Sequence, residues 1–278
     1  MTESSLTAAA EVESLAAAAA AALAAKPNSR TLVIDHAGVR YVAKRLAERP
    51  RRLMQTLFMR WLVKQITGQP LPLRTLALSE SAGSMDYEAQ RLEALAAAGA
   101  RVPRIAYKTS DYLLLEHRGT VVASLLEKWS PDVWRTELPR MARELGEFHA
   151  AGLWHGGAQI KNVTLQDGSF TRIDFEENFG EFLPLPVTQA TDLLLFLNSI
   201  SLAGPIDEAE SRRLLPTLLA EYVRVHADHG GIRDTLRRAM PWFRRIVWLE
   251  HPFRRFTRKS HLRMVILVDT LGDFLTAP

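Results

Sequence analysis

Polar side chains able to bind phosphate, hold a hard cation or move a proton stand at the ends of several predicted elements. They are Lys44, Glu88, His155, Asn162 and Asp174. Their donor atoms are nitrogen and oxygen, and the chain contains no cysteine. Thiolate catalysis, disulfide frameworks, zinc knuckles and iron–sulfur ligation are therefore excluded. Any nucleophile or metal ligand in this protein must be oxygen- or nitrogen-based.

The first half of the chain predicts a small sheet with helices between its strands. Residues 31–35 and 39–44 are β-formers around a His-Ala-Gly turn, which predicts a hairpin with Lys44 at its end. A second strand pair is predicted at 105–107 and 112–116. Apolar spacing predicts helices at 51–66 and 87–98, and Glu88 lies one turn before Leu92 on the second of these.

The second half is predicted to be mostly helical. A one-sided apolar stripe predicts a helix at 139–151, which Gly152 ends, and a short hairpin is predicted at 163–165 and 170–175. Further helices are predicted at 190–202, 208–228, 232–248 and 258–275. His155 and Asn162 then lie in the loop before the hairpin, and Asp174 lies at its end. The predicted fold class is α+β, with a small sheet-bearing lobe followed by a mostly helical lobe.

In their order and spacing these residues resemble the protein-kinase-like superfamily across roughly residues 31–202. The resemblance is nearest to bacterial lipopolysaccharide core and Kdo kinases and to the small RIO-type and Bud32-type kinases. It implies a two-lobed kinase-like fold, with an Ala-rich appendage at 1–28, an N-lobe at 29–118 and a C-lobe at 119–278. It also implies ATP and Mg²⁺ as cofactors.

The N-lobe part of the resemblance concerns nucleotide binding. Residues 41–44, Tyr-Val-Ala-Lys, match the strand-borne lysine that lies over the nucleotide phosphates. Glu88 resembles the helix carboxylate that pairs with this lysine, and Glu93 is the competing candidate. Glu116, at the end of the strand 112–116, is a third cofactor-binding candidate. The glycine-rich loop of protein kinases is missing from this chain. The helix predicted at 51–66, inserted between Lys44 and Glu88, makes this stretch more similar to that of the lipopolysaccharide kinases.

The C-lobe part of the resemblance begins with residues 155–162, His-Gly-Gly-Ala-Gln-Ile-Lys-Asn. His155 matches the structural histidine of the family loop, and Asn162 would supply a carboxamide oxygen to Mg²⁺. Gly157 stands where the family has its catalytic aspartate, so that carboxylate is missing. Two explanations stay open: the site lacks its base, or the loop needs a glycine there for a positive φ.

Asp174 carries the metal-binding part of the resemblance. Residues 171–176, Thr-Arg-Ile-Asp-Phe-Glu, match an Asp-Phe-Gly segment with Glu176 in the glycine position. Asp174 would then bridge Mg²⁺ to the phosphates. Asp192 resembles the helix aspartate that fixes the loop backbone, and an aspartate in an apolar helix needs such partners.

The resemblance implies an ATP- and Mg²⁺-dependent phosphotransferase acting on a glycan or a lipid-linked, lipopolysaccharide-type acceptor. The alternative is a pseudokinase that binds nucleotide or scaffolds a partner without phosphotransfer. Gly157 and Glu176 favour the alternative, whereas Lys44, Asn162 and Asp174 together favour the enzyme. Glu176 and Glu177 are the carboxylates that could replace the missing base, although both lie on the metal side of the expected site.

The positive charge of the chain lies towards its C-terminus. Residues 231–278 contain ten Lys or Arg against four Asp or Glu. Contact with an anionic membrane or glycan is therefore predicted for a basic face formed by Arg254, Arg255, Arg258 and Lys259. Nucleic acid is not an expected partner, because the aromatic residues of this segment, Trp242, Phe243 and Trp248, have the spacing of a helix core.

Neither the N-terminus nor any internal run predicts export or membrane insertion. The Ala-rich N-terminal run predicts a helix that ends before Lys26-Pro27-Asn28, and it lacks the features of a signal peptide. No run is long and apolar enough to span a bilayer. The predicted location is the cytoplasm, with peripheral contact at the inner face of the membrane as a second option.

Overall fold

The structure, a computed structural model, describes residues 3–45, 53–71, 81–250 and 258–276. The elements in chain order are α1 Glu3–Ala25, β1 Thr31–His36, β2 Val39–Arg45, α2 Leu53–Thr67, α3 Ser81–Ala97, β3 Ile105–Lys108, β4 Tyr112–Glu116, β5 Thr120–Val121, α4 Val122–Leu126, α5 Pro131–Ala150, β6 Val163–Gln166, β7 Ser169–Arg172, α6 Leu185–Ile200, α7 Glu208–Val225, α8 Gly230–Glu250 and α9 Arg258–Thr276. The predicted α+β class is confirmed.

The chain forms two compact units that interleave along the sequence. Unit 1 takes residues 1–50, 77–119 and 171–176, and unit 2 takes 51–76, 120–170 and 177–278. The lobes expected from the sequence at 29–118 and 119–278 stay a prediction. Helix α2 falls in unit 2, and the segment with Asp174 falls in unit 1, because a strand or a helix is assigned by what it packs against and not by its place in the chain.

Unit 1 is built on a four-stranded antiparallel sheet in the order β1-β2-β4-β3. The hairpins predicted from the sequence are confirmed, and the β1–β2 turn places Ala37 and Gly38 at positive φ. Helix α1 is not set apart from this unit. Its Leu15, Ala19 and Leu23 are buried with apolar residues of the sheet.

Unit 2 has a helical core to which α5, α6, α7, α8 and α9 all contribute. The helix predicted to begin at Pro139 begins at Pro131 instead, and Pro139 lies inside α5. Pro131 occupies the first turn, where a missing N–H costs nothing, so it is the better start signal of the two. The predicted hairpin before Asp174 is present as β6 and β7. The strand β5 and the short helix α4 were not predicted.

Within the described ranges, none of the helices combines the length and apolar character that crossing a membrane requires.

Candidate functional site

A buried lysine near the end of β2 is held by a glutamate from α3. Lys44 Nζ donates to both carboxylate oxygens of Glu88, at 2.8 and 2.7 Å. Lys44 is only 8% exposed and Glu88 only 2%. The register of the sheet, in which Lys44 lies opposite Leu113 of β4, fixes the lysine backbone. A buried charge pair of this geometry is stable only while both partners are present.

Asp174 reaches the same lysine from the segment after β7. Its Oδ1 lies 2.5 Å from Lys44 Nζ. Asp174 has a φ of +71°, in the left-handed region that few residues other than glycine adopt, although aspartate is among those that do. Such a conformation costs about 1–3 kcal/mol and persists where the surroundings enforce it. The next residue, Phe175, is fully buried and anchors this segment. The strain therefore lies at the residue whose carboxylate meets the lysine.

Two further charges complete what we call the Lys44 cluster: Lys44, Arg30, Glu88, Asp174 and Glu176. Glu176 Oε2 lies 3.5 Å from Lys44 Nζ and is ion-paired with Arg30. Arg30 could not be recognised from the sequence, because an arginine just before a strand carries no local signal of a role. All five residues belong to unit 1.

The charges of the cluster influence one another. Burial would lower the pKa of Lys44, but Glu88, Asp174 and Glu176 together raise it above its ordinary value. Burial raises the pKa of Glu88, and Lys44 opposes this. Lys44 is therefore cationic at neutral pH. With Arg30 it provides two positive charges for three carboxylates, so an incoming phosphate chain would need an added cation.

The exposed side of the cluster suits a nucleotide-bound Mg²⁺. The side chains of Asp174 and Glu176 remain 30% and 24% exposed and offer the oxygen ligands that this ion prefers. No group of three or more His, Cys, Asp or Glu side chains placed to hold a metal occurs in the described part of the chain. Mg²⁺ is commonly held by one or two carboxylates together with substrate phosphates. Asp174 fits that mode of binding.

In unit 2, a buried aspartate holds the loop 155–162. Asp192 of α6 is fully buried, and its carboxylate accepts the backbone N–H of His155 at 2.6 Å and that of Gly156 at 2.9 Å. These are the kind of partners that the sequence predicted for Asp192. Burial would raise the pKa of this carboxyl, but hydrogen bonds from His149 and the His155 backbone hold it below its ordinary value. Asp192 is therefore ionised.

The two glycines of this loop differ in what the backbone demands. Gly156 has a φ of +90°, and a Cβ there would lie 3.1 Å from both Trp154 and Glu177. Gly157, by contrast, does not have a positive φ. Its N–H donates to His155 Nδ1 at 3.0 Å, and its carbonyl accepts from Asn162 Nδ2 at 2.9 Å. The explanation of Gly157 by a positive φ is therefore wrong.

Behind Asp192 lies a buried polar network that sequence reasoning missed. His149, in the last turn of α5, places Nε2 3.4 Å from Asp192 Oδ2 and Nδ1 2.7 Å from the hydroxyl of Tyr222. Tyr222 in turn stacks on His226, with ring centroids 5.6 Å apart. Tyr222 lies on an apolar stripe of α7, where spacing gives no sign of a polar role.

The structure thus brings the predicted residues together in two groups. Lys44, Glu88 and Asp174 meet in unit 1. His155, Gly157 and Asn162 meet in the loop of unit 2. Glu116 belongs to neither group, since its carboxylate pairs with Arg118 at 2.6 Å.

Comparison of the sequence with protein-family models and with curated proteins finds no match. The resemblance described above rests on the residues of this chain alone. What the protein does must therefore be argued from the chemistry of the two groups.

Proposed function

We propose that the protein is an ATP- and Mg²⁺-dependent phosphotransferase of the kinase-like type, with a two-lobed kinase-like fold. The observation that carries the proposal is the contact of one buried lysine with two carboxylates from distant parts of the chain. Lys44 is bonded at once by Glu88 of α3 and by Asp174 after β7. A purely structural ion pair has no need of a second, partly exposed carboxylate on a strained backbone.

In this proposal each residue of the group has one task. Glu88 keeps the ammonium of Lys44 aimed, and the ammonium neutralises charge on the nucleotide phosphates. Asp174 holds Mg²⁺, which supplies further neutralisation of the phosphate oxygens when bound. The phosphates would replace Asp174 as the exposed partner of Lys44. Asn162, predicted as a second ligand, belongs to unit 2 and stays a prediction.

The transfer itself joins an acceptor hydroxyl oxygen to the γ-phosphorus as the bond to ADP breaks. With glycine at 157, no carboxylate stands at the family position to accept the hydroxyl proton, and the proton passes to water. Phosphoryl transfer depends mostly on positioning and charge neutralisation, so the reaction survives this loss at a lower rate. A proton acceptor typically contributes about 10²–10⁴-fold.

The proposed acceptor is a glycan or a lipid-linked sugar. The support for it is the resemblance of residues 31–202 to sugar-directed kinases and the basic character of residues 231–278. A basic surface attracts phosphorylated glycans and anionic lipids alike.

A thermal-shift experiment with ATP and Mg²⁺ tests the proposal. Binding to the native state alone adds about 2.7 kcal/mol at a hundredfold excess of ligand over Kd, and we expect a clear rise in melting temperature. Asp174→Asn removes the charge but tolerates the left-handed backbone, so it should abolish the Mg²⁺-dependent part of the shift. Asp111→Ala, in the exposed β3–β4 turn, is the matched control. A melting temperature indifferent to Mg²⁺ and nucleotide would overturn the proposal.

The pseudokinase alternative is favoured by one specific observation. The backbone at Gly157 has no positive φ, so the backbone conformation neither requires glycine there nor explains the missing carboxylate. A protein that binds Mg²⁺–ATP without releasing ADP in the presence of glycan or lipid acceptors would support this alternative.

A further inference from the structure

The most exposed large apolar side chains of the described residues lie together at the end of α8. Trp248 is 74% exposed and Leu249 60% exposed. The sequence predicted Trp242, Phe243 and Trp248 as core residues, and for Trp248 this is wrong. Phe243 is buried in unit 2, and Ile246 and Val247 pack against the same core, but Trp248 and Leu249 in the last turn are exposed.

The exposed apolar residues continue along α8 as an aromatic and arginine face. Trp242 packs edge-on against Trp61 of α2, with centroids 4.8 Å apart. The guanidinium of Arg245 lies 4.5 Å from the Trp242 ring. Positions 242, 245 and 249 are three, four and seven apart and share one side of the helix. We call Arg244, Arg245, Trp248 and Leu249 the α8 tip.

In the part of the chain that the structure describes, the arginines of this face lack the ion pairs that those of α7 form. Arg212, Arg213 and Arg224 of α7 each form an ion pair with a carboxylate. Within the described residues, Arg244 and Arg245 form no such pair: the Arg244 guanidinium lies beside Gly272 of α9, and that of Arg245 lies over the Trp242 ring. Both arginines are exposed.

In the sequence, the first turn of α9 follows the end of α8 closely and carries further positive charge. Arg258 and Lys259 are exposed there. The other two residues of the predicted basic face, Arg254 and Arg255, lie outside the described residues.

We propose that the α8 tip docks on the surface of an anionic lipid bilayer. Tryptophan prefers the headgroup layer, where its ring meets both apolar and polar surroundings, and Trp248 is free to enter it. Arginine beside it can extend its charged head to the lipid phosphates while its stem follows the apolar surface. Each arginine or lysine near an anionic surface strengthens binding about fivefold. The proposal does not depend on nucleotide binding.

A second copy of the chain fits this surface less well. A two-fold interface built on this small patch would enclose the arginines of both copies in one area with no added negative charge, and like charges repel. A bilayer offers negative charge over the whole area and an apolar layer beneath it. The composition of the tip therefore matches lipid better than itself.

Vesicle sedimentation with the full chain tests the proposal. We expect binding to phosphatidylcholine vesicles that contain phosphatidylglycerol and none to pure phosphatidylcholine. Raising the ionic strength from about 0.1 to about 1 M, which shortens the Debye length from about 10 to about 3 Å, should release the protein. The variant Arg244→Gln/Arg245→Gln should bind about 25-fold more weakly. Trp248→Ser/Leu249→Ser should bind at least tenfold more weakly.

Two control variants show whether weaker binding is specific to the α8 tip or follows from losing any exposed apolar or basic side chain. Val33→Ser on β1 removes another exposed apolar side chain, and Arg213→Gln removes an exposed but paired arginine. Both should bind like the wild type. Quenching by brominated lipids should fall in Trp248→Phe, which places that indole in the bilayer.

Two results would overturn the proposal. Equal binding of wild type and both tip variants would show that other residues hold the vesicle. Absence of vesicle binding, with a dimer in sedimentation velocity that Trp248→Ser/Leu249→Ser abolishes, would assign the tip to a second copy of the chain.

Discussion

The Lys44 cluster and the loop held by Asp192 each centre on one buried charged group, but they satisfy it in different ways. Lys44 is balanced by charged side chains, of which Asp174 and Glu176 keep part of their surface exposed. Asp192 is fully buried and binds mainly backbone N–H groups and His149. A ligand can exchange with an exposed carboxylate, whereas a lost backbone partner leaves N–H groups unpaired. The first arrangement suits binding of a charged ligand, and the second suits a fixed loop.

The largest effect is expected from giving the fixed loop a carboxylate. If the rest of the site is competent, Gly157→Asp should raise ADP formation in the presence of acceptor by up to about 10²–10⁴-fold, because the residue would accept the hydroxyl proton. The backbone conformation allows a side chain at 157, because its φ is not positive. An added Cβ would lie 3.3 Å from Asn162 Nδ2, so the Asn162 side chain must shift by a few tenths of an ångström. A coupled ADP-release assay measures the change.

Two variants make this result specific. Gly157→Ala should leave turnover unchanged and cost little stability. Gly156→Ala should destabilise the protein by about 1–3 kcal/mol, because its φ is +90° and its new Cβ would press on Trp154. No gain for Gly157→Asp in a protein that still binds nucleotide would favour the pseudokinase.

The loop should collapse when its buried carboxylate is removed. Asp192→Ala leaves the N–H groups of His155 and Gly156 without their acceptor, and we expect a loss of about 3–5 kcal/mol in the free energy of unfolding. Urea denaturation measures it. Asp192→Asn keeps one acceptor oxygen and should lose less. Equal stability of the alanine variant and the wild type would mean that the loop is held by other contacts.

Unit 1 should lose less stability when Lys44 is replaced than the loop of unit 2 loses when Asp192 is replaced. Lys44→Met leaves Glu88 buried without its cation and should cost about 3 kcal/mol, the lower end of the range for a broken buried pair. Asp174 and Glu176 reduce the cost because water reaches them. Adding Glu88→Leu to Lys44→Met should restore most of the stability, although nucleotide binding stays lost. If the double variant were less stable than Lys44→Met alone, the two residues would not be acting as a pair.

The smallest effect concerns the network behind Asp192. Burial lowers the pKa of His226, which faces His149, Tyr222, Asp228 and His229. As the pH falls, the imidazole of residue 226 therefore takes up a proton in the unfolded chain before it does so in the folded protein. The contribution of this histidine to the free energy of unfolding is complete above its unfolded pKa of about 6.5 and decreases as the pH drops below that value.

His226→Phe keeps the ring stack but cannot take up a proton. Its unfolding free energy should fall less steeply between pH 7 and pH 5 than that of the wild type. The difference is bounded by one proton, about 1.4 kcal/mol per pH unit. Identical slopes for the two proteins would show that His226 does not titrate in this range.

Local pattern was sufficient for most elements and for part of the site. Alternation and turn residues predicted both hairpins of the unit 1 sheet, and helical spacing predicted the helices of the second half. Pro139 misled the start of α5, because a proline is compatible with a helix start and with a helix interior. The position of Glu88 relative to Lys44 followed from the resemblance, and the structure places the two side chains in contact.

The partners of these residues could not be predicted in the same way. Arg30, His149, Tyr222 and His226 act through contacts with residues far away in the chain, and their local sequence is ordinary. The exposure of Trp248 is a further case. Its spacing is that of a buried residue, and only the end of the packing against α8 leaves it in solvent.

By itself, the sequence determined which residue types are present and how they are spaced: no thiol, a lysine at the end of a strand, carboxylates and a carboxamide that the proposed function assigns to a hard cation, and a glycine where that function would place a base. Those are properties of residue types and of short-range spacing, which the covalent chain fixes. The tertiary structure decided that Lys44 is shared by Glu88 and Asp174 and that Gly157 is free of backbone strain. Both depend on long-range packing, because a side chain's partners are whatever folding brings within hydrogen-bond distance.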